Sequence, residues 1–413
     1  MFQHTNTCRD NPELIRVIGT AYPGSDLIFE VVTDPQGLQY HARQWDLLSY
    51  NLPHAMPMTS AAWQICHINN IHSDDRDLHS IFIYISDDLV GVLPLLCQKT
   101  RRWGRLSRCY TTPHSSVDIL SWPGMEDTIM KALSRYLNNK SPRFDYLKLR
   151  MVPADSPSIK SISSQVKFCR VIRELGGYCS YLNTAGEYSE YTKRQSSRFR
   201  RNLRRVKRNL SRAGKVNLKI LTGLEADPEV LDDFIRMECS GWKGRAGSAL
   251  ECQHELMSFY RDLVPAMQDL GWLRWHLLEL DGAVIAAQLA IQMHGTQYIV
   301  KIAYDEKYAG YSPGNILMDF VIEKAFTEIE TRFINCITCF PWNYNWLMEK
   351  YPYYNFFLYP RRLETTLFRW LPHTMINTAR GLYNRYFRRF LPFAKTIGKT
   401  NPSHNGACCR MKK

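Results

Sequence analysis

No apolar run in the chain approaches the roughly 20 residues needed to cross a bilayer. Met1 to Glu30 hold no basic stretch followed by an apolar core and a small-residue cleavage site. Together these absences predict a protein that stays in the cytoplasm. The 12 cysteines are scattered, and a chain without an export signal is expected to keep them reduced. Cys336 and Cys339 form one CxxC, but no second Cys/His pair follows at zinc-site spacing. That argues against a metal or redox centre and for buried structural thiols. The patterns GxxxxGK[ST] and GxGxxG are both missing, so a nucleoside triphosphate or NAD loses its main support. No serine, cysteine or histidine stands out as a covalent nucleophile.

What is present is a 413-residue chain with 45% hydrophobic content, enough for two core-forming domains. Its net charge of +14 favours an anionic partner: a phosphorylated cofactor, a nucleic acid or an acidic membrane surface. The charge is densest from Lys193 to Arg212, which holds no acidic residue. Phe199, Leu203, Val206 and Leu210 fall there at helical spacing, with Ser196 or Ser197 as cap and Gly214 as terminator. Such a helix either docks by its apolar stripe with a solvated basic face, or forms a positive wall, with Arg201 and Arg205 among its members, that steers an anionic ligand.

The chain is organised around Tyr298 to Ala325. Ile299, Lys301 and Ala303 alternate with Val300, Ile302 and Tyr304, the pattern of a mostly buried strand. Ile316, Leu317, Phe320, Val321 and Ala325 then recur at helical spacing. Between them, Ser312 is a candidate N-cap, Pro313 a first helical residue, and Gly314 lacks the Cβ that would obstruct a ligand. A strand, a small-residue loop and a helix start offer unpaired N–H groups and a positive dipole end, a seat for phosphate.

The segment Asp305 to Leu317, DEKYAGYSPGNIL, resembles the pyrophosphate-binding turn of the GNAT N-acetyltransferase superfamily. Within it, the resemblance is to the CelD-like cellulose-biosynthesis branch and, more distantly, to FemAB-type transferases. Lys307, Gly310 and Ser312 approximate the consensus Arg/Gln-x-x-Gly-x-Gly/Ala. Collinear landmarks extend the resemblance over about residues 30 to 370: the basic segment from Ser196 to Val216, Glu238 to Gly244, the Leu277 to Ile291 hairpin, and the tryptophan-rich turn from Phe340 to Trp346. The resemblance implies an α/β (α+β) fold of tandem GNAT-like domains, each a mixed central sheet flanked by helices. It also implies direct transfer of an acyl group from acetyl-CoA or another acyl-CoA, without a metal, to a small-molecule or sugar amine in envelope or exopolysaccharide metabolism. A FemAB-type transferase would instead use an aminoacyl-tRNA, for which the arginine helix would grip phosphate. A third reading is a non-catalytic membrane-associated assembly factor.

Taken in order, residues 1–24 are polar and expected to be a flexible lead-in. Residues 25–185 would form the first domain, with a hairpin across Asp87 to Gly91, a strand from Phe144 to Met151 and a helix from Ser158 to Leu175. Residues 186–370 would form the catalytic domain, in which Asp281-Gly282 turns a second hairpin. The repeated strand, acidic turn and strand suggest duplication; the first copy lacks the Ser-Pro-Gly loop, so it is assigned a structural or acceptor-binding role. Phe333 to Phe340 reads as a further strand. Residues 371–413 form a basic tail whose Met375 to Leu391 segment has an apolar face with arginines largely elsewhere, the composition of an interfacial helix on the inner membrane or, alternatively, of a final helix packed on the domain.

On the acyl-CoA reading, Gly310, Ser312, Pro313, Gly314 and Asn315 hold the donor's pyrophosphate. Glu238 and Asp305 are candidate bases, and Tyr304 or Tyr311 candidate proton donors to the leaving thiolate. Asp305 could equally cap a turn, and Glu238 be an exposed helix carboxylate. Trp242 and Lys243, between two glycines, are candidate substrate contacts, with Trp242 alternatively a core anchor. Trp342 either walls the acyl pocket or packs a structural corner.

Overall fold

The computed structural model describes residues 17–22, 25–71, 76–102, 105–113 and 118–382. The first half runs β1 (Val17–Tyr22), β2 (Ser25–Val32), α1 (Leu38–Asn51), α2 (Ala61–Ile71), β3 (Arg76–Leu78), β4 (Ser80–Ile85), β5 (Asp88–Leu93), β6 (Leu96–Arg102), β7 (Arg105–Thr111) and β8 (Leu120–Ser121). It ends with α3 (Glu126–Asn139), β9 (Tyr146–Pro153), α4 (Pro157–Gln165) and β10 (Cys169–Asn183). The second half opens with α5 (Tyr188–Arg194), α6 (Ser197–Ala213), β11 (Val216–Thr222), α7 (Val230–Ser240), α8 (Trp242–Arg245) and α9 (His254–Asp269). It continues with β12 (Leu273–Leu280), β13 (Ala283–Met293), β14 (Thr296–Tyr304), α10 (Pro313–Thr327), β15 (Phe333–Asn335), β16 (Glu349–Pro360), α11 (Leu363–Thr365) and α12 (Leu371–Leu382).

The fold is mixed α/β. A five-stranded sheet has the order β1-β2-β4-β5-β8, and an eleven-stranded sheet the order β11-β12-β13-β14-β15-β10-β16-β9-β7-β6-β3. The halves repeat one topology: β7 reaches its parallel partner β9 through α3, and β14 reaches its parallel partner β15 through α10. Their last strands are exchanged. β10, from the first half, pairs with β15 of the second, while β16 pairs with β9 of the first. β10 and β16 then pair with each other from Cys169↔Pro360 to Tyr181↔Glu349. The sheet therefore runs unbroken across residue 185.

Three expectations about elements change. Val17–Tyr22 pair with β2 and belong to a sheet, so the lead-in is shorter than residues 1–24. The helix from Ser158 stops at Gln165, and Cys169 onward is strand, because this segment's pairing partner lies in β16, beyond any local signal. Strand Phe333 to Phe340 is reduced to Phe333–Asn335, after which the chain turns towards Pro341–Trp346.

Two cores sandwich β12 to β14. On one face α7 and α9 bury Phe234, Phe259 and Leu263 against Trp275, Leu277 and Leu289, and α2 of the first half joins them with Trp63. On the other, α6 and α10 bury Leu203, Val206, Leu210, Leu317 and Val321 against Leu278, Ile285 and Ile299. A third core lies inside the first half, around Phe29, Ile83, Leu133 and Leu149.

Candidate functional site

β14 opens a cleft in the large sheet. It pairs with β15 only from Thr296 to Tyr298, so Ile299–Tyr304 run on without a strand beside them on that side. Along its other edge the register with β13 slips between Lys301↔Leu289 and Ile299↔Ala290. Val300 is thus the extra residue of a β-bulge, and such a residue is left out of the ladder. The slip also changes the strict alternation read from the sequence: Ile299 packs with the α10 core, whereas Ala303 packs with the α7 and α9 core. One inserted residue moves the side chains before it to the opposite face.

Glu238, in the last turn of α7, is 3% exposed. Its carboxylate accepts the Leu250 N–H at 2.8 Å and faces the Lys301 ammonium at 3.8 Å. Lys301 lies in turn over the Tyr260 ring, 5.3 Å from its centroid. Burial and the Glu238 charge push the Tyr260 hydroxyl above its ordinary range. Glu238 is therefore a buried, oriented carboxylate and not an exposed helix residue. It shares a cavity of about 30 Å³, room for about one water, with Gly241, Ile302, Tyr304 and Glu306. Glu306 is bound by Arg245 at 2.7 Å. The fold thus brings Glu238 and Tyr304 to one place, together with Lys301, which carried no sequence signal because its partner is remote along the chain.

Asp305 follows β14 as the cap of a turn. Its carboxylate accepts the Lys307 N–H at 3.0 Å, capping the 3-10 turn Glu306–Tyr311. Tyr311 packs half-buried on the α10 core. Ser312 stands at the N-cap of α10 with φ 53°, but its side chain makes no capping bond; its carbonyl accepts the Asn315 and Ile316 amides at 3.0 and 3.2 Å. The phosphate seat expected across Gly310 to Asn315 is accordingly narrower. Tyr308 and Ser312 donate back into the turn, Pro313 has no N–H, and among residues 313–316 only the Gly314 amide is without a partner among the described residues. A Cβ on Gly314 would meet only Tyr304, at 3.8 Å, and one on Gly310 would meet nothing within 4 Å. The helix start stays open.

The basic helix α6 flanks that opening. Ser196 caps it by accepting the Phe199 N–H at 3.2 Å, and Leu203, Val206 and Leu210 are buried. Lys207 pairs with the buried Asp319 of α10, which also accepts the Tyr188 hydroxyl at 2.8 Å. Arg201 and Arg205 are exposed, and Arg205 donates to Asn202 at 2.9 Å. Arg198, Arg201, Arg208 and Arg212 have no acidic partner among the described residues. Trp342 is half-buried on the α10 core, next to fully buried Asn343 and Trp346, whose ring meets Phe199 at 4.9 Å. The aromatic turn is a packed corner that braces α6. Trp242 and Lys243 begin α8, and their side chains lie outside the described residues. The turn requires Gly244, since a Cβ there would collide with the Cys239 carbonyl.

Burial pushes the Cys179 thiol up to about 11 and the Cys336 thiol up to about 12, so neither of these two is a ready nucleophile. Among the described residues no group of three or more His, Cys, Asp or Glu is placed to hold a metal, and no helix is long and apolar enough to cross a membrane.

Residues 197–334 match the family model of the acetyltransferase (GNAT) domain. No curated protein matches the chain. Among solved structures, that of FemX superposes with a TM-score of 0.56 at 10% identity, covering 79% of this chain and 98% of its own. L-PGS from Bacillus licheniformis gives 0.46 at 14% identity, over 84% and 96% of the two chains. A tandem GNAT protein from the clavulanic acid biosynthesis pathway gives 0.39 at 14% identity, over 80% and 98%. The first likeness is one of fold. The stretch from Ser197 to Ile334 that resembles the acetyltransferase (GNAT) domain covers α6, Glu238, β14 and α10.

Proposed function

We propose that the protein transfers an acyl group from an acyl-coenzyme A, acetyl-CoA being the simplest, to an amine acceptor. The observation that carries this reading is Glu238: a buried carboxylate, held by the Leu250 amide and faced by Lys301, at the bulged strand of a cleft between parallel strands. An amine of unperturbed pKa about 10 is mostly protonated at neutral pH and must lose a proton to attack. Glu238 takes it, directly or through the water its cavity admits. The nitrogen attacks the thioester carbonyl carbon, the Val300 amide stabilises the oxyanion, and the C–S bond breaks. Tyr304, on the same cavity, gives its proton to the thiolate and regains one from the nitrogen, which sheds its second proton as the amide forms. The open start of α10, with the Gly314 amide and the arginines of α6 beside it, supports binding of the donor's phosphates. The first half meets the second at Met56, whose sulfur receives the Tyr353 hydroxyl at 3.5 Å. The acceptor class favoured by the sequence is an amino sugar or related amine of envelope or exopolysaccharide metabolism.

A thermal-shift titration with acetyl-CoA tests this, because a ligand that binds only the folded state raises its melting temperature. A saturable rise, abolished in Gly314→Glu, is expected. Absence of any rise with short and long acyl-CoA thioesters would overturn it. The alternative, aminoacyl transfer from a transfer RNA, has the partner-free arginines of α6 in its favour, and salt-sensitive RNA binding would select it.

A further inference from the structure

The C-terminal helices are attached inside out. From Thr365 onward, residues four apart point polar groups into the protein. Thr365 is 1% exposed. Arg369 donates to Ser107 at 2.7 Å and faces Asp145 at 3.5 Å. His373 bonds Tyr359 at 2.7 Å and Glu174 at 2.6 Å, and Asn377 donates to the same Glu174 carboxylate. The apolar residues face the other way: Leu363 is 76% exposed, Phe368 63%, Met375 69% and Leu382 51%, with Leu367 and Ile376 beside them. A surface helix normally buries its apolar stripe and solvates its polar one. A contiguous exposed apolar face of this kind marks a binding surface.

We infer that this face, Leu363 to Leu382, lies on an anionic lipid bilayer. The occupant follows from charge. From Leu363 to Leu382 one residue is acidic, Glu364, and Arg361 and Arg380, both exposed, flank most of the apolar residues. The sequence beyond continues in the same key, with Arg385, Arg388 and Arg389 interleaved among Tyr386, Phe387, Phe390 and Leu391. A second copy of this chain would bring these like charges together, whereas anionic headgroups neutralise them while the acyl region takes the apolar side chains.

The test is co-sedimentation of the full chain with vesicles of phosphatidylcholine alone and of phosphatidylcholine with phosphatidylglycerol. Wild type is expected to sediment with the anionic vesicles, to stay in solution with the neutral ones, and to be released as salt rises. The triple variant Leu367→Glu, Phe368→Glu, Met375→Glu changes only exposed side chains. It should keep its melting temperature and lose vesicle binding by at least tenfold. Wild type remaining in solution with both vesicles, or equal binding by the triple variant, overturns the inference. A dimer by light scattering that the triple variant dissociates would give the face to a second copy, and overturn it as well.

Discussion

At the scale of single residues, Glu238 is the base proposed for the transfer. Replacing it by Gln keeps the Leu250 hydrogen bond but removes proton acceptance. We expect kcat to fall by about 100-fold or more, with donor KM little changed, and Glu238→Asp to recover part of the loss. Steady-state kinetics with a thiol-trapping readout would check this, and full activity in the Gln variant would displace Glu238 from its role. Buried histidines set a second expectation. Burial holds His41, His79 and His276 each down to about 4, from the ordinary 6.5. They are neutral when folded and titrate near 6.5 when unfolded, so the stability they confer is present above 6.5 and lost as pH falls towards 4. Asp46 works the other way. Burial raises it from 3.8 to about 6, so its contribution is present at low pH and lost as pH rises through 6. Between these limits unfolding takes up about two protons net from the four groups, or about 2.7 kcal/mol per pH unit. Urea midpoints should decline on acidification across this window, and more steeply in Asp46→Asn; a flat profile would refute the assignment.

At the scale of elements, the Lys207–Asp319 pair ties α6 to α10 beside the proposed donor seat. Lys207 and the Tyr188 hydroxyl both end on Asp319, which is 3% exposed. Asp319→Asn leaves Lys207 without its counter-ion, and because that side chain is partly solvated the cost should be about 2 kcal/mol in urea unfolding. Donor affinity should weaken with it, although Asp319 is not assigned a ligand contact, since α6 would lose its hold beside the helix start. Both helices were legible in sequence. Leu203, Val206 and Leu210 mark one stripe, Ile316, Leu317 and Val321 another, and an apolar period survives whatever the rest of the chain does. The state of Glu238 was not legible, because its partners are an amide in a later turn and a lysine from another strand. Nor was the bulge at Val300, which one shifted register creates and no residue type announces. Asp305 looked as much like a base as a cap, since a carboxylate after a strand has the same sequence signature in either role.

At the scale of the molecule, sequence duplication was readable from the two acidic hairpins, at Asp87 and at Asp281-Gly282, and from the strand, loop and helix order. The exchange of β10 and β16 was not, since pairing between Cys169–Tyr181 and Glu349–Pro360 leaves no local trace. That exchange has a consequence for biogenesis. When synthesis has reached the end of β10, this long strand has neither of its neighbours, β15 and β16, and exposes both edges as templates for another chain. The first half then waits for β16 to cover β9, while the second cannot close its sheet without β10. Each half completes its sheet with a strand of the other, so the chain is most open to strand-mediated aggregation during its own translation, and cutting it near residue 185 would leave those edges bare.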